Sequence, residues 1–207
     1  MAGRRLQLIV DPLGGTSVSV SEANRRRDLI AKSLWLVAAA MAVHELEEWN
    51  IATWFQRNFS NHTGISDYAV WLGILFITTL FTAWIFLATR AGSPTVMALI
   101  ALPAVALVAV GNSVQHITWT VIFREYAPGV ASSIILVIPA ASLAMWRMVQ
   151  VRTVLLIPLV GCAVLWVVAS YRVIASGPEL EPFQLVLQDF FMALAESLGL
   201  PGTSATA

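Results

Sequence analysis

Charged residues are scarce in this chain of 207 residues: Asp, Glu, Lys and Arg together make up 12% of it. A soluble domain carries about 25% charged residues. Hydrophobic residues make up 58%, and the mean hydropathy is +0.77. The formal net charge is zero, so no excess of positive charge is available to bind nucleic acid. This composition predicts a membrane protein of a single domain that crosses the bilayer several times and has no nucleic-acid partner.

Cysteine is almost absent as well, because Cys162 is the single cysteine of the sequence. A disulfide within the chain is therefore excluded. Residues 1–27 contain arginines but no apolar stretch of the kind found in secretory signals, so we expect no cleaved signal peptide. We expect these residues to form a flexible cytoplasmic tail.

Five apolar runs follow this tail, and a helix needs about 20 apolar residues to cross a membrane. The runs cover residues 29–54, 68–89, 94–121, 128–146 and 151–171. Short connections with Gly, Pro or charged residues separate most of them, as expected for turns. The sequence therefore predicts an all-α fold, a polytopic membrane bundle of five transmembrane helices within residues 28–174.

The C-terminal segment, residues 175–207, has a different pattern. Its apolar residues recur at helical spacing, but glutamines and carboxylates interrupt them: Gln184, Gln188, Asp189 and Glu196. Such a helix is too polar to span a bilayer. We expect an amphipathic helix, at the membrane interface or packed against the bundle, followed by a disordered tail.

The distribution of Lys and Arg predicts the orientation. Five spans place the two termini on opposite sides. With a cytoplasmic N-terminus, nine of the 12 Lys and Arg residues lie at the cytoplasmic ends of the helices and three lie on the other side. Cytoplasmic loops of membrane proteins carry the excess of positive charge. We therefore expect a multi-pass protein of the cell (inner) membrane with its N-terminus in the cytoplasm.

The stretch VHELEEWN, residues 43–50, places a histidine and three carboxylates at the end of the first run. On a helix, His44, Glu47 and Glu48 share one face. Glu45 lies about 100° round from His44. Ionisable residues within a membrane usually face the bundle interior and pair there. In the predicted orientation, this cluster lies near the outer membrane face.

A second polar stripe lies in the third run, at the same end of the bundle. Asn112, Gln115 and His116 share a helix face. Two polar stripes at this depth are best satisfied if they face each other. The sequence therefore predicts one pocket that contains both histidines, two or three carboxylates and two amides.

Two kinds of chemistry fit this pocket. In one, His44, Glu47, Glu48 and His116 bind a divalent metal such as zinc, iron or manganese. In the other, the same four residues perform acid and base catalysis without a metal. In either case, Glu45, Asn112, Gln115 and Tyr126 are candidates to contact the substrate or to support the site.

Simpler interpretations remain open for each of these residues. The first helix could end near Val43, which would leave the carboxylates among the lipid headgroups. Residues 29–43 alone are too short to span, however, which argues against this interpretation. His116 could bond to a carbonyl, His62 is best explained as a loop residue, and Arg124 and Glu125 as a solvated pair. Tyr126 begins a turn.

The segment HELEE has the form His-x-x-Glu-Glu. With this motif late in its first span, NSVQH in the third and YAPG at the start of the fourth, the chain resembles the HXXEE family of small bacterial integral membrane proteins. The resemblance covers residues 29–171. It implies that His44, Glu47 and Glu48 matter most and that Glu45, at a variable position of the motif, matters less. It implies no reaction.

From the residues, we expect an enzyme that acts on a lipidic or isoprenoid-like substrate, since the site is reachable from the bilayer and no large soluble loop exists to bind a polar one. A metal-dependent hydrolase and an acid/base isomerase or cyclase both fit. The alternative is a transporter or relay protein that binds protons or metal ions. The missing inverted repeat argues against it. The sequence leaves the oligomeric state and a structural role in a larger complex open.

Overall fold

The structure, a computed structural model, describes residues 8–9, 18–61, 64–180 and 182–200. Two short strands, β1 (Leu8–Ile9) and β2 (Val18–Ser19), pair in an antiparallel register ahead of the first helix. Helices form 84% of the structure, which confirms the all-α prediction.

Seven helices follow in the described part of the chain. They are α1 (Val20–Glu47), α2 (Ile51–Asn58), α3 (Asp67–Thr89), α4 (Pro94–Phe123), α5 (Val130–Val149), α6 (Thr153–Ser176) and α7 (Pro182–Ser197). All but α2 and α7 are long and apolar enough to cross a membrane, which confirms the five predicted spans. π-Helical turns interrupt α4 at Ala104–Ala109 and α5 at Ser133–Val137, and α6 starts with a 3-10 turn at Thr153–Leu155.

Both ends of α1 differ from the sequence expectation. The helix begins at Val20, so residues 20–27 belong to it and not to the tail expected over residues 1–27. Ion pairs from Glu22 to Arg25 and Arg26, at helical spacing, stabilise this charged first part. The helix ends at Glu47, and a turn separates it from α2. The run over residues 29–54 is therefore two helices rather than one.

The helix α1 is the centre of the bundle and packs against α3, α4 and α5. Its buried stripe contains Ile30, Leu34, Val37 and Met41, which are spaced three or four residues apart. Within a bilayer, lipid tails are as apolar as these side chains, so close packing rather than exclusion of water holds the helices together. Alanines on the facing sides of α4 and α5 permit that close approach.

The helices α6 and α7 pack at the periphery of the bundle, and a cavity lies between them and the central helices. The indole of Trp166 in α6 donates to the carbonyl of Ala106 in α4 at 3.0 Å. Gly111 makes room for that indole, because a Cβ at this position would lie 1.5 Å from its ring. On the other side, α7 packs on α3, with the ring of Phe191 3.3 Å from where a Cβ of Gly73 would lie.

Candidate metal centre

The buried stripe of α1 continues into His44 and Glu48, one turn apart at the end of the helix. From α4, His116 faces them. Nε2 of His44 lies 2.7 Å from Oε1 of Glu48, and Nε2 of His116 lies 2.9 Å from the same oxygen. Both histidines are buried, and Glu48 is 8% exposed. One donor atom from each residue lies within 4.8 Å of the other two, close enough to share a metal ion.

Hydrogen bonds favour one tautomer of a neutral His44. Ser132 Oγ has two acceptors for its hydrogen, the carbonyl of Gly129 at 3.1 Å and the carboxylate of Glu47, so its 3.0 Å contact with His44 is best satisfied by a donating Nδ1–H. The amide of Asn112 donates to Nε2 at 2.9 Å. A neutral His44 therefore presents a lone pair to the carboxylate oxygen of Glu48. A proton shared between the two atoms, or a metal cation that both atoms bind from the same side, would remove the repulsion of these lone pairs.

The second histidine has an unsatisfied atom. Nδ1 of His116 is buried and has no hydrogen-bond partner among the residues described. If Nε2 holds the proton, Nδ1 is a lone pair without a donor; if Nδ1 holds it, a donor is left without an acceptor. A bound ligand would satisfy what the protein alone does not.

A glycine at the start of α5 closes the site. Gly129 has φ +92°, a conformation that side chains disfavour. A Cβ there would lie 2.7 Å from Cε1 of His44, 3.0 Å from Nδ1 of His116 and 3.1 Å from Oε1 of Glu48. Glycine is therefore required at position 129 for two reasons: other residues disfavour this backbone conformation, and a side chain would collide with His44, His116 and Glu48. The two imidazoles and the one carboxylate, with donor atoms close to one another, are a ligand set that fits a divalent metal.

Glu47 faces the other way and does not join this group. Its carboxylate accepts the backbone N–H of Ser132 at 2.8 Å and that of Ala131 at 3.3 Å, in the first turn of α5. It also accepts the hydroxyl of Tyr126. Burial and this carboxylate raise the pKa of Tyr126 to about 12. Glu47 thus fixes the start of α5, where unpaired N–H groups attract a negative charge.

The remaining candidate residues differ in whether they contact the group formed by His44, Glu48 and His116. Asn112 contacts both His44 and Glu48. Glu45 is 5% exposed and, like Gln115, lines a neighbouring cavity. His62 lies outside the described residues.

The expected pairing of Arg124 with Glu125 is wrong. Glu125 pairs instead with Arg57 and accepts a hydrogen bond from Asn58. The pKa of Glu125 is lowered, first by the Asn58 amide and then by the Arg57 guanidinium. Arg124 ends α4 in a left-handed conformation with φ 54°.

The sequence did not identify three residues of the site: Gly129, Ser132 and Ser133, whose Oγ lies 3.4 Å from Nδ1 of His44. Gly129 entered the sequence analysis only as part of the turn at Pro128-Gly129 and of the YAPG segment. Two serines one turn after a Pro-Gly turn could have suggested polar contacts from the start of the fourth span.

A cavity of about 550 Å³ lies beside the group, between the end of α1 and helices α3, α4, α6 and α7. Most of its lining is apolar. Polar side chains are a minority: Glu45, Glu48, Asn112, Gln115, Thr118, Ser170, Arg172, Gln184 and Gln188. The carboxylates Glu45 and Glu48 open onto it, whereas His44, His116 and Glu47 do not. A ligand in the cavity would therefore meet the group through Glu48.

These features define a multi-pass membrane protein with a polar group buried inside its helical bundle, beside an apolar cavity. A family model described as "Protein of unknown function with HXXEE motif" matches residues 35–144, more than half of the chain. The chain belongs to this family. The match includes the motif, His116 and the start of α5, but not α6 and α7. No curated protein and no solved structure matches the chain.

Proposed function

We propose that the protein is a metal-dependent membrane enzyme that hydrolyses a lipidic substrate held in the cavity. The observation that carries this proposal is the convergence of two imidazole nitrogens on one carboxylate oxygen at the cavity wall. His44, His116 and Glu48 would hold the metal. A catalytic metal site typically has three protein ligands and keeps a position for water, which favours hydrolysis over isomerisation or cyclisation.

The bound metal would polarise a carbonyl or phosphoryl oxygen and lower the pKa of its water. The chain supplies the rest. Ser132 fixes the ring of His44 through Nδ1, so that Nε2 faces the group. Glu45 lies three residues before Glu48 and lines the same cavity, so it is placed to accept a proton from the attacking water.

The cavity supports a lipidic substrate for two reasons. Its lining is mostly apolar, and its volume lies within the range of about 300–1,000 Å³ that is common for sites of small ligands. The helices around it also present apolar side chains to the bilayer, among them Leu75, Leu80 and Val167. A substrate dissolved in the membrane can reach such a site without crossing water.

The orientation belongs to the same proposal. With nine of 12 Lys and Arg residues at the cytoplasmic ends, the N-terminus lies in the cytoplasm and the metal centre near the outer face of the cell membrane. A reporter fused after Arg90 should be cytoplasmic, and one fused at Asn61 should not. The opposite result would reverse the orientation without affecting the chemistry.

The test of the proposal is the metal content of protein purified gently in detergent. We expect about one zinc, iron or manganese ion per chain, lost in Glu48→Gln, because an amide carries no charge to hold the ion. Glu125→Gln is the matched control, since this carboxylate lies outside the group and pairs with Arg57. A wild-type protein that carries no metal, and that added zinc, manganese or iron does not stabilise, would refute the proposal.

A further inference from the structure

We propose that a membrane lipid enters the cavity sideways from the bilayer, through a gap between α3 and α6, while α7 closes the cavity to water. This inference rests on the lipidic substrate of the proposed function and adds the route by which that substrate arrives. It also states which part of the substrate the cavity holds. The headgroup end lies inside, and the acyl chain extends through the gap into the bilayer.

The helices α3 and α6 both line the cavity, but they do not pack on each other. The helix α3 packs on α1, α2, α4 and α7, whereas α6 packs on α4 and, at its start, on α5. The hydrogen bond from Trp166 to the carbonyl of Ala106 holds α6 on α4, with the indole ring over Gly111. The position of α6 is therefore set by α4, and no helix of the described chain fills the gap between α6 and α3.

The part of the cavity near the middle of the bundle is a groove whose back wall is α4. Leu107 and Val108 line it from the middle of α4, Ile77 from the middle of α3 and Trp166 from the middle of α6. Leu107 and Val108 are half-buried, whereas the adjacent Ala109 is buried. At this depth a membrane protein is surrounded by hydrocarbon. An acyl chain of the bilayer is therefore the ligand that fits the groove.

The cavity is covered at the end of the bundle where α3 begins, because α7 lies across it. Asn61, shortly before α3, exchanges two hydrogen bonds with Leu180, shortly before α7, at 2.7 and 3.2 Å. Further along α7, Met192 Sδ accepts the backbone N–H of Ser66 at 3.3 Å. Two separate parts of the chain around α7 are thus attached to the same end of α3, and the buried ring of Phe191 lines the cavity below them.

The groove leads directly to the metal centre. Asn112 lines the cavity one turn beyond Val108 on α4, and its amide contacts both His44 and Glu48. A carbonyl or phosphoryl group near the headgroup can therefore reach Glu48 while the chain stays in hydrocarbon. A substrate bound in this way does not leave the bilayer, so the length of its chain beyond the gap does not limit binding.

The experiment uses the full-length protein in nanodiscs of phosphatidylcholine, with a small fraction of a phosphatidylcholine that carries a photoreactive group in its acyl chain. The residues labelled after illumination are mapped by mass spectrometry. We expect labelling of Leu107 and Val108 at the back of the groove, and of Leu75, which is exposed on α3. Val105, buried on α4 in the core of the bundle, is the control that should remain unlabelled.

A larger side chain in the gap should block the route. Ile77→Trp fills the gap from α3, so we expect labelling of Leu107 to be lost and labelling of Leu75 to persist. Leu80→Trp is the matched control, because Leu80 is exposed on the same helix and does not line the cavity. If Ile77→Trp does not fold, Ala169→Trp fills the gap from α6 instead.

The closure by α7 is measured with a water-soluble thiol reagent. In the Cys162→Ala background, Ile74→Cys places a thiol in the cavity lining, and we expect it to react slowly with a charged maleimide added to the nanodiscs. Asn61→Ala removes the two bonds to Leu180 and should raise the rate. Ser197→Ala, which loses only a bond within α7, should not. Equal rates with and without Asn61→Ala would contradict the closure.

Labelling of Leu107 that persists in both tryptophan variants would overturn the sideways entry and leave the lipidic substrate standing. No labelling of Leu107 and Val108 in the wild type would overturn both, and the metal content of the same sample would decide separately whether the metal centre stands. A disulfide between two copies of Ile77→Cys, made in the Cys162→Ala background, would also overturn the inference, because a second copy and not lipid would then cover the gap.

Discussion

Glu47 and Glu48 are neighbours in the sequence, yet the regions around them are opposite in kind. Glu48 lies between two buried imidazoles and opens onto the apolar cavity. Glu47 accepts two backbone N–H groups at the start of α5 and the hydroxyl of an exposed tyrosine. Glu48 therefore joins two histidines beside a cavity, whereas Glu47 holds the first turn of a helix. A shared motif therefore does not imply a shared role.

The two regions meet at the start of α5. The backbone N–H of Ser132 is held by Glu47, and its side chain contacts Nδ1 of His44. The helix that Glu47 fixes therefore positions the ring of His44. Glu47 thus acts on the proposed metal centre through another residue, whereas Glu48 contacts both histidines of that centre directly.

The largest effect on stability and on metal binding is expected from a substitution that disturbs both the surroundings of Glu48 and the start of α5. Gly129→Ala places a Cβ 2.7 Å from His44 Cε1 and forces a side chain into a left-handed conformation, which alone costs about 1–3 kcal/mol. We expect a lower melting temperature in detergent and loss of bound metal. Gly161→Ala is the control, because nothing lies within 4 Å of its Cβ position and alanine favours a helix. Equal melting temperatures for the two variants would contradict the account of Gly129.

The next largest effect is expected from the same substitution at each of the two glutamates, which should change different properties. Glu47→Gln removes the negative charge at the start of α5, so we expect it to lower the unfolding free energy by about 1 kcal/mol and to keep the metal. Glu48→Gln should lose the metal. Melting temperature and metal content, measured together for both variants, check this division. If Glu47→Gln loses the metal and Glu48→Gln keeps it, the roles are reversed.

The sequence was sufficient to predict the helical bundle and its five spans, because each apolar run is long enough to cross a membrane without help from its neighbours. The pairing of His44 with His116 was also predictable, since buried polar stripes at one depth must satisfy each other. The break in the helix after Glu47 was not predictable, because no Gly or Pro marks it and the apolar pattern continues through Ile51 and Trp54.

The different roles of the two glutamates were not predictable either. Helical spacing placed Glu47 and Glu48 on one stripe with His44. In the structure, Glu48 keeps the helical spacing to His44 and contacts its ring, whereas Glu47, about 100° away around the axis, reaches the start of α5, and only the partners on the other helices distinguish the two. The contribution of Gly129 depends on distances to three side chains from two other helices, which no local pattern contains.

A smaller effect is expected at the contact that joins the two regions. Ser132→Ala removes the oxygen that accepts from His44 Nδ1, and such supporting contacts typically change metal affinity by about 10- to 100-fold. We expect the lower end of that range, because Ser133 Oγ lies 3.4 Å from the same nitrogen and can replace the lost oxygen. Metal titration of purified protein measures the change. Ser113→Ala, which loses only a bond to Ala109 in its own helix, should bind metal as the wild type does.

The smallest effect concerns Glu125, a half-buried carboxylate outside the proposed metal-binding residues, which provides the baseline for Glu47 and Glu48. Its pKa is lowered by Asn58 and Arg57. The stabilisation is therefore present above the unfolded-state pKa of about 4.3 and is lost as the pH falls through the lower folded-state value. The advantage of the wild type over Arg57→Gln in melting temperature should be slight at neutral pH, because solvent screens the pair, and should vanish in acid and in high salt. An advantage that grows in acid, or exceeds the effect of Glu47→Gln, would contradict the small, screened contribution expected of this ion pair.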